Sequence, residues 1–273
     1  MSKILVNGMN VHYQRTGDGP DVVMIHGIAS NLALWLNIQP VLAEDFSVTT
    51  YDLRGHGYSD MPLNGYTSAD MADDLNGILD SLDIKQTHLV GHSFGGLVAL
   101  HYTVLHPERV IKLVLADTGV PAVETLRKSV PVLEMWIERL AKFGISVPED
   151  KQDDINYLIM QTRILRQQSA SSSGIKQRRV GGLMSVKGLT QLLESTSILN
   201  DFRETAGLTL NQIGQISQPV LISYGERSPS MATYQYLREH LSDCKSVIIQ
   251  NAGHFHPVGR PEVFVKNLKT FLL

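Results

Sequence analysis

His88-Leu89-Val90 runs straight into Gly91-His92-Ser93-Phe94-Gly95, and an apolar, helix-compatible stretch follows at once through Leu97-Val98-Ala99-Leu100 to Leu105. A G-x-S-x-G pattern alone says little: with 22 glycines and 22 serines in 273 residues, about 0.14 matches arise by chance. Its setting decides the reading. A strand that turns into a helix through a Gly-flanked serine is a nucleophile elbow, so tight a turn that side chains at 91 and 95 would collide. Ser93 is therefore a candidate nucleophile, and the amide of Phe94, the next residue, a candidate oxyanion donor.

Outward from the elbow the chain alternates short apolar runs with helical patterns. Val22-Val23-Met24-Ile25, Phe46 to Tyr51, Lys112-Leu113-Val114-Leu115, Pro219 to Tyr224 and Ser246-Val247-Ile248-Ile249 are apolar on both faces, as in a parallel sheet covered on each side. Ile4-Leu5-Val6 and Val11-His12-Tyr13 read as a hairpin joined through Asn7-Gly8. Met71, Leu75, Ile78, Leu79 and Leu82 fall three or four apart, predicting a helix over 68–84 with Ser68 as its N-cap. A closing helix is expected from Pro261 to Leu272. This rhythm predicts an α/β fold with a doubly wound sheet. Residues 121–218 break it: long helical patterns, no convincing strand and a loose tract, Gln167 to Gly174. So long an insertion is not a loop. The expected organisation is a core of residues 1–120 and 219–273 with a helical cap, 121–218, over the sheet's carboxyl edge.

Composition narrows the classes. Net charge is −3, from 24 Lys+Arg against 27 Asp+Glu, and Arg178-Arg179 is too small a cluster for a nucleic-acid footprint. No apolar run approaches the roughly 20 residues of a membrane span, and the N-terminus lacks an apolar signal core. The one cysteine, Cys244, forms no internal disulfide. A cytoplasmic protein acting on a small molecule is expected. No dinucleotide or phosphate loop appears, so no cofactor is implied, and His254-x-His256 lacks the company of a metal site. Nothing fixes the oligomeric state.

His26-Gly27 ends the Val22–Ile25 run and brings the amide of Ile28 towards the elbow, as the second oxyanion donor. Asp52-Leu53-Arg54-Gly55-His56-Gly57-Tyr58-Ser59 reads as a structural turn. With Asn251-Ala252-Gly253-His254 after the last strand, these motifs together resemble the α/β-hydrolase superfamily, across the chain apart from 121–218. The resemblance implies a mostly parallel eight-stranded sheet with an inserted cap. It implies His254 as general base, with His256 the runner-up. His26 and His92 are expected to line the substrate pocket.

The acid departs from the superfamily's pattern. Where most members carry aspartate after the seventh strand, this chain reads Gly225-Glu226-Arg227-Ser228, with Ser228 at the aspartate position. Three readings stand: Asp117, after the Lys112–Leu115 strand, supplies the carboxylate, as in certain dehalogenases and lipases; Glu226 swings in; or the triad is incomplete. Asp117 preserves the order Ser, Asp, His. A serine nucleophile argues against dehalogenase and epoxide-hydrolase chemistry and favours acyl transfer from an ester or thioester of a small to medium hydrophobic acyl group. C–C hydrolysis of a diketone-type ring-fission product and a slow-turnover ligand receptor are the alternatives. Met135, Trp136, Leu140, Phe143, Leu158, Ile159 and Met160 would line an acyl pocket or pack the cap's own core.

Overall fold

Asn7 (φ 49°) and Gly8 (φ 79°) both adopt the left-handed conformation. That is the geometry of the tight turn joining two right-twisted antiparallel strands, here β1 (Ser2–Val6) and β2 (Met9–Thr16). Six further strands complete the sheet: β3 (Asp21–Ile25), β4 (Ser47–Tyr51), β5 (Thr87–His92), β6 (Val110–Ala116), β7 (Val220–Gly225) and β8 (Cys244–Ile249). In this computed structural model their order is β1-β2-β4-β3-β5-β6-β7-β8, antiparallel at β1–β2 and β2–β4 and parallel throughout the rest. The structure describes residues 2–124 and 184–273, and between them 137, 140–141, 144–152, 154, 157–158, 160–161 and 164.

Alternation along each strand sorts its side chains between two cores. Val23 and Ile25 of β3, Leu89 of β5 and Leu113 and Leu115 of β6 join α1 (Ser68–Ser81) and α2 (Phe94–Leu105) on one face. Val22, Met24, Val90, Val114 and Ala116 point the other way, to Trp35, Leu42 and Phe46. Between β6 and β7 the chain forms α3 (Val186–Ser195) among its described helices. Beyond β7, α4 (Met231–His240) closes the first face and α5 (Pro261–Leu272) the second, through Phe264, Leu268 and Phe271. The fold is thus the expected α/β sheet. Because β3 to β8 run parallel, their carboxyl ends gather along one edge, where open α/β sheets carry their sites.

Two details differ from the sequence reading. The N-cap of α1 is Thr67, not Ser68: Thr67 Oγ1 accepts from the Asp70 amide at 3.1 Å and the Asp70 carboxylate accepts from the Thr67 amide at 3.1 Å. Ser68 is buried, its hydroxyl 2.9 Å from His101 Nδ1. Of the candidate acyl-pocket residues, Leu140 and Leu158 are buried in a small cluster with Val147, which makes them core of the 121–218 stretch, and Met160 is exposed. Met135, Trp136, Phe143, Ile159, Arg178-Arg179 and the tract 167–174 lie outside the described residues. The described part of 121–218 holds short helices and no strand, and no helix among the described residues is long and apolar enough to cross a membrane.

Thr67→Ala removes one half of a reciprocal cap and leaves the Asp70 amide without its acceptor. The expected loss is about 1 kcal/mol, or about 2–4 °C in Tm for a chain of this size class, read by thermal unfolding. An unchanged Tm would show that the cap contributes nothing.

Candidate active site

Ser93 stands where β5 becomes α2, with φ 56° and ψ −123°. A side chain rarely adopts that backbone, which costs of order 1–3 kcal/mol and persists only where surroundings enforce it. They do here. The Ser93 amide donates to Ala116 O at 2.9 Å, and Ser93 O accepts from Gly96 N at 3.0 Å. A Cβ at Gly91 would stand 2.4 Å from Gly95 O, and one at Gly95 would stand 2.3 Å from His26 O. The strand, the elbow and the neighbouring β3 end are therefore in backbone contact. The serine side chain is the half-buried exception among buried neighbours.

The loop after β3 closes on the same hydroxyl. A Cβ on Gly27 would lie 2.8 Å from Ser93 Cβ and 3.3 Å from its Oγ, so the bare Gly27 backbone abuts the serine and the Ile28 amide follows beside it. Among the described residues, neither the Ile28 nor the Phe94 amide donates to a protein acceptor. His26, expected at the substrate pocket, has both ring nitrogens engaged by the protein. It is fully buried, with Nδ1–H on Gly27 O at 2.8 Å and Nε2 accepting from Leu53 N at 3.0 Å, so neither nitrogen is open to a ligand. His92 is buried too; its Nε2 donates to the His254 carbonyl at 2.8 Å and its ring lies 4.8 Å from that of His254. Burial above all, with His254 nearby, pushes its pKa down to about 3, so it is a neutral buttress of the 254 backbone.

Asp117 closes β6 with φ 50° and no exposure. Its Oδ1 accepts from His254 Nδ1 at 2.8 Å and from Ser228 Oγ at 2.6 Å, while Oδ2 accepts from the Gly225 amide at 2.9 Å. Burial opposes its ionisation, but the bonds and charge of His254, then the Ser228 and Gly225 donors, outweigh that and hold the carboxyl below its usual range. The partner dictates the tautomer. A carboxylate only accepts, so Nδ1 of His254 carries a hydrogen, and in the neutral ring Nε2 is then the lone pair. No hydrogen bond joins that nitrogen to Ser93 Oγ here; such contacts tighten when a substrate is bound.

The other candidates lie apart. Glu226 is exposed and caps the next turn, Oε2 accepting from Asn251 N at 2.9 Å. His256 is buried, with Nε2–H on Ser223 O at 2.9 Å. Ser228 is the residue whose part the sequence did not disclose: its Oγ accepts from Ser230 N at 3.0 Å, which frees its hydrogen for Asp117. The signal lay in the pairing of β6 with β7, which brings the two strand ends side by side. In the 52–59 turn the charged side chains are taken up by other segments: Asp52 holds His12 at 2.7 Å, and Arg54 holds Asp74 at 2.6 Å.

Known proteins share this arrangement of elements. A family profile described as the alpha/beta hydrolase fold matches residues 20–260. The chain is 27% identical to the 2-(acetamidomethylene)succinate hydrolase of Mesorhizobium japonicum, over 99% of this chain and 94% of that one. It is 37% identical to the 2-hydroxymuconate semialdehyde hydrolase of a Pseudomonas strain over 43% of each chain. Matches to uncharacterized Mycobacterium proteins reach 38% identity but span only 33% of those relatives' length. Among solved structures, the enol-lactonase of Burkholderia xenovorans superposes with a TM-score of 0.69 at 21% identity, covering 99% of both chains, a likeness of fold.

A carboxylate introduced at 228 would meet Asp117 Oδ1 where a hydroxyl now donates at 2.6 Å. Two carboxylates so close share a proton, and one pKa rises strongly. Ser228→Asp is therefore expected to lower hydrolase turnover at neutral pH, while Ser228→Ala loses a charge-assisted bond worth about 1.5–3 kcal/mol of stability. A hydrolase assay and a thermal melt check both. A gain of activity in Ser228→Asp would show that Asp117 is a bystander.

Proposed function

The chain belongs to the α/β-hydrolase fold family, and from that premise we propose that it is a serine hydrolase in which Ser93, His254 and Asp117 act as nucleophile, base and acid. Its substrate class is an ester or thioester of a small to medium hydrophobic acyl group, admitted past the 121–218 cap. The observation that carries this reading is the 2.8 Å bond from His254 Nδ1 to Asp117, which leaves Nε2 as the proton acceptor beside the elbow. A cytoplasmic setting fits a chain with one cysteine.

In this mechanism Ser93 Oγ attacks the substrate carbonyl as its proton passes to His254 Nε2. The Ile28 and Phe94 amides hold the oxyanion of the tetrahedral intermediate. His254 then returns the proton to the departing alkoxide or thiolate, leaving an acyl-Ser93. Water, deprotonated by the same nitrogen, attacks the acyl group; collapse releases the carboxylic acid and restores the serine. Asp117 stays ionised throughout, fixing the tautomer and stabilising the imidazolium. A second reading, C–C hydrolysis of a vinylogous diketone by the same residues, is favoured by the 37% identity to the Pseudomonas hydrolase over 121 residues. Parallel assays with p-nitrophenyl esters and a ring-fission product separate the two.

Ser93→Ala is expected to lower turnover on the order of 10³-fold or more, His254→Ala by a similar factor, and the double variant little further, because the residues act as a unit. Asp117→Asn should approach 10⁴-fold in turnover with the fold retained. Rapid labelling of Ser93 by a fluorophosphonate should accompany wild-type activity. Wild-type-like turnover in Ser93→Ala would remove the serine-hydrolase reading, and no labelling at all would favour a receptor.

A further inference from the structure

The mechanism leaves unexplained a second buried imidazole beside the oxyanion loop. His56 has no exposure, and its two nitrogens reach different segments: Nδ1 lies 2.8 Å from Arg54 O, and Nε2 lies 3.2 Å from the Ala29 amide. The Ala29 N–H is a donor, so Nε2 must be a lone pair and the ring hydrogen sits on Nδ1, donating to Arg54 O. We infer that His56 is a positioning residue for acyl transfer: by accepting from Ala29 N–H it fixes the peptide unit after Ile28 and thereby the direction of the Ile28 amide at Ser93. The inference rests on the reading of Ile28 as an oxyanion donor.

Planar trans peptides make the argument geometric. In the Gly27–Ile28 unit the carbonyl accepts from His26 Nδ1 at 2.8 Å and from Ser30 N at 3.2 Å, which sends the Ile28 N–H to the opposite side. Those bonds grip the unit by its carbonyl alone and leave it free to rock; His56 takes the N–H of the next unit, Ile28–Ala29, and so clamps Ile28 from its other side. Ala29 needs such a tether: φ is 61°, a left-handed backbone that costs a non-glycine residue roughly 1–2 kcal/mol. The far end of the loop is fastened as well, Leu32 N donating to Asp52 Oδ1 at 2.8 Å. His56 and Asp52 belong to one turn, and that turn also meets the cap side: Leu192 of α3 fills the space a Cβ on Gly55 would need, and Met184 N donates to Ala29 O at 2.9 Å. Burial first, then the neighbouring His26, pushes the His56 pKa down to about 3, so the lone pair persists at any working pH.

Two substitutions separate positioning from mere structure. His56→Gln keeps an acceptor near the Nε2 position; His56→Asn keeps a donor towards Arg54 O and loses the acceptor. With a p-nitrophenyl ester, His56→Asn is expected to lower kcat about 10- to 100-fold, less than the 10²–10³ of deleting a donor outright. KM should change little, and His56→Gln should recover most of kcat. In ¹⁵N-labelled protein the wild-type His56 ring should report the neutral Nδ1–H form, with Ala29 amide exchange slow in wild type and His56→Gln and fast in His56→Asn. Wild-type kcat in a folded His56→Asn, or equal loss in both variants, would overturn the proposal. Should His56→Asn fail to fold, an Nε2–H tautomer or an unprotected Ala29 amide in wild type would do the same. A wild type without ester turnover, but with Ala29 protected by His56, would instead mean that the serine-hydrolase reading has failed and the tether has not.

Discussion

The site depends on one buried carboxylate. Asp117 sits at the end of β6 with no exposure, in a place where an unpaired charge would be costly. Three donors offset its desolvation: the Gly225 amide at the end of β7, the Ser228 hydroxyl in the following turn, and His254 beyond β8. One side chain thus ties three strand ends together. Hydrogen bonds to charged groups are worth about 1.5–3 kcal/mol each, so the anchor is strong. Because the native carboxyl is held below its unfolded pKa of about 3.9, its stabilisation is fully present above that pH. It is lost as pH falls through the native value.

The imidazoles that brace the site's loops differ from His254. His26, His56, His92 and His256 are buried, and burial is the leading cause that lowers the pKa of each. Each donates one ring N–H to a backbone carbonyl, which makes a neutral ring a fixed strut. His254 faces the Asp117 carboxylate with Nδ1 and, unlike those four, is partly exposed. The four buried rings hold the loops that surround it.

Local signals made the scaffold legible. The elbow, the Asn7-Gly8 turn and the two-faced apolar strands each depend on contiguous residues, and the described elements follow them closely. Thr67 displaced Ser68 as a cap because the reciprocal Asp70 partner lies at the right distance for one and not the other. The partner of His254 is not legible locally because the contact is long-range: Asp117 and His254 are 137 positions apart, and Ser228 explains itself only beside Asp117. The bonds of His26 are hidden from the sequence for the same reason. Its spacing next to Gly27 is visible in sequence, whereas the Leu53 amide that consumes its second nitrogen is not. Periodicity could not divide Leu140 and Leu158 between a pocket and a core, since both environments are apolar.

An ionised Asp117 holds the hydrogen on His254 Nδ1. The most direct measurement is the ring-NH proton spectrum of ¹⁵N-histidine-labelled protein at neutral pH, in wild type and Asp117→Asn. A strongly deshielded, slowly exchanging proton bonded to His254 Nδ1 is expected in wild type, and its loss in Asp117→Asn. A wild-type ring protonated only at Nε2, or an Nδ1–H signal indifferent to Asp117→Asn, would contradict it.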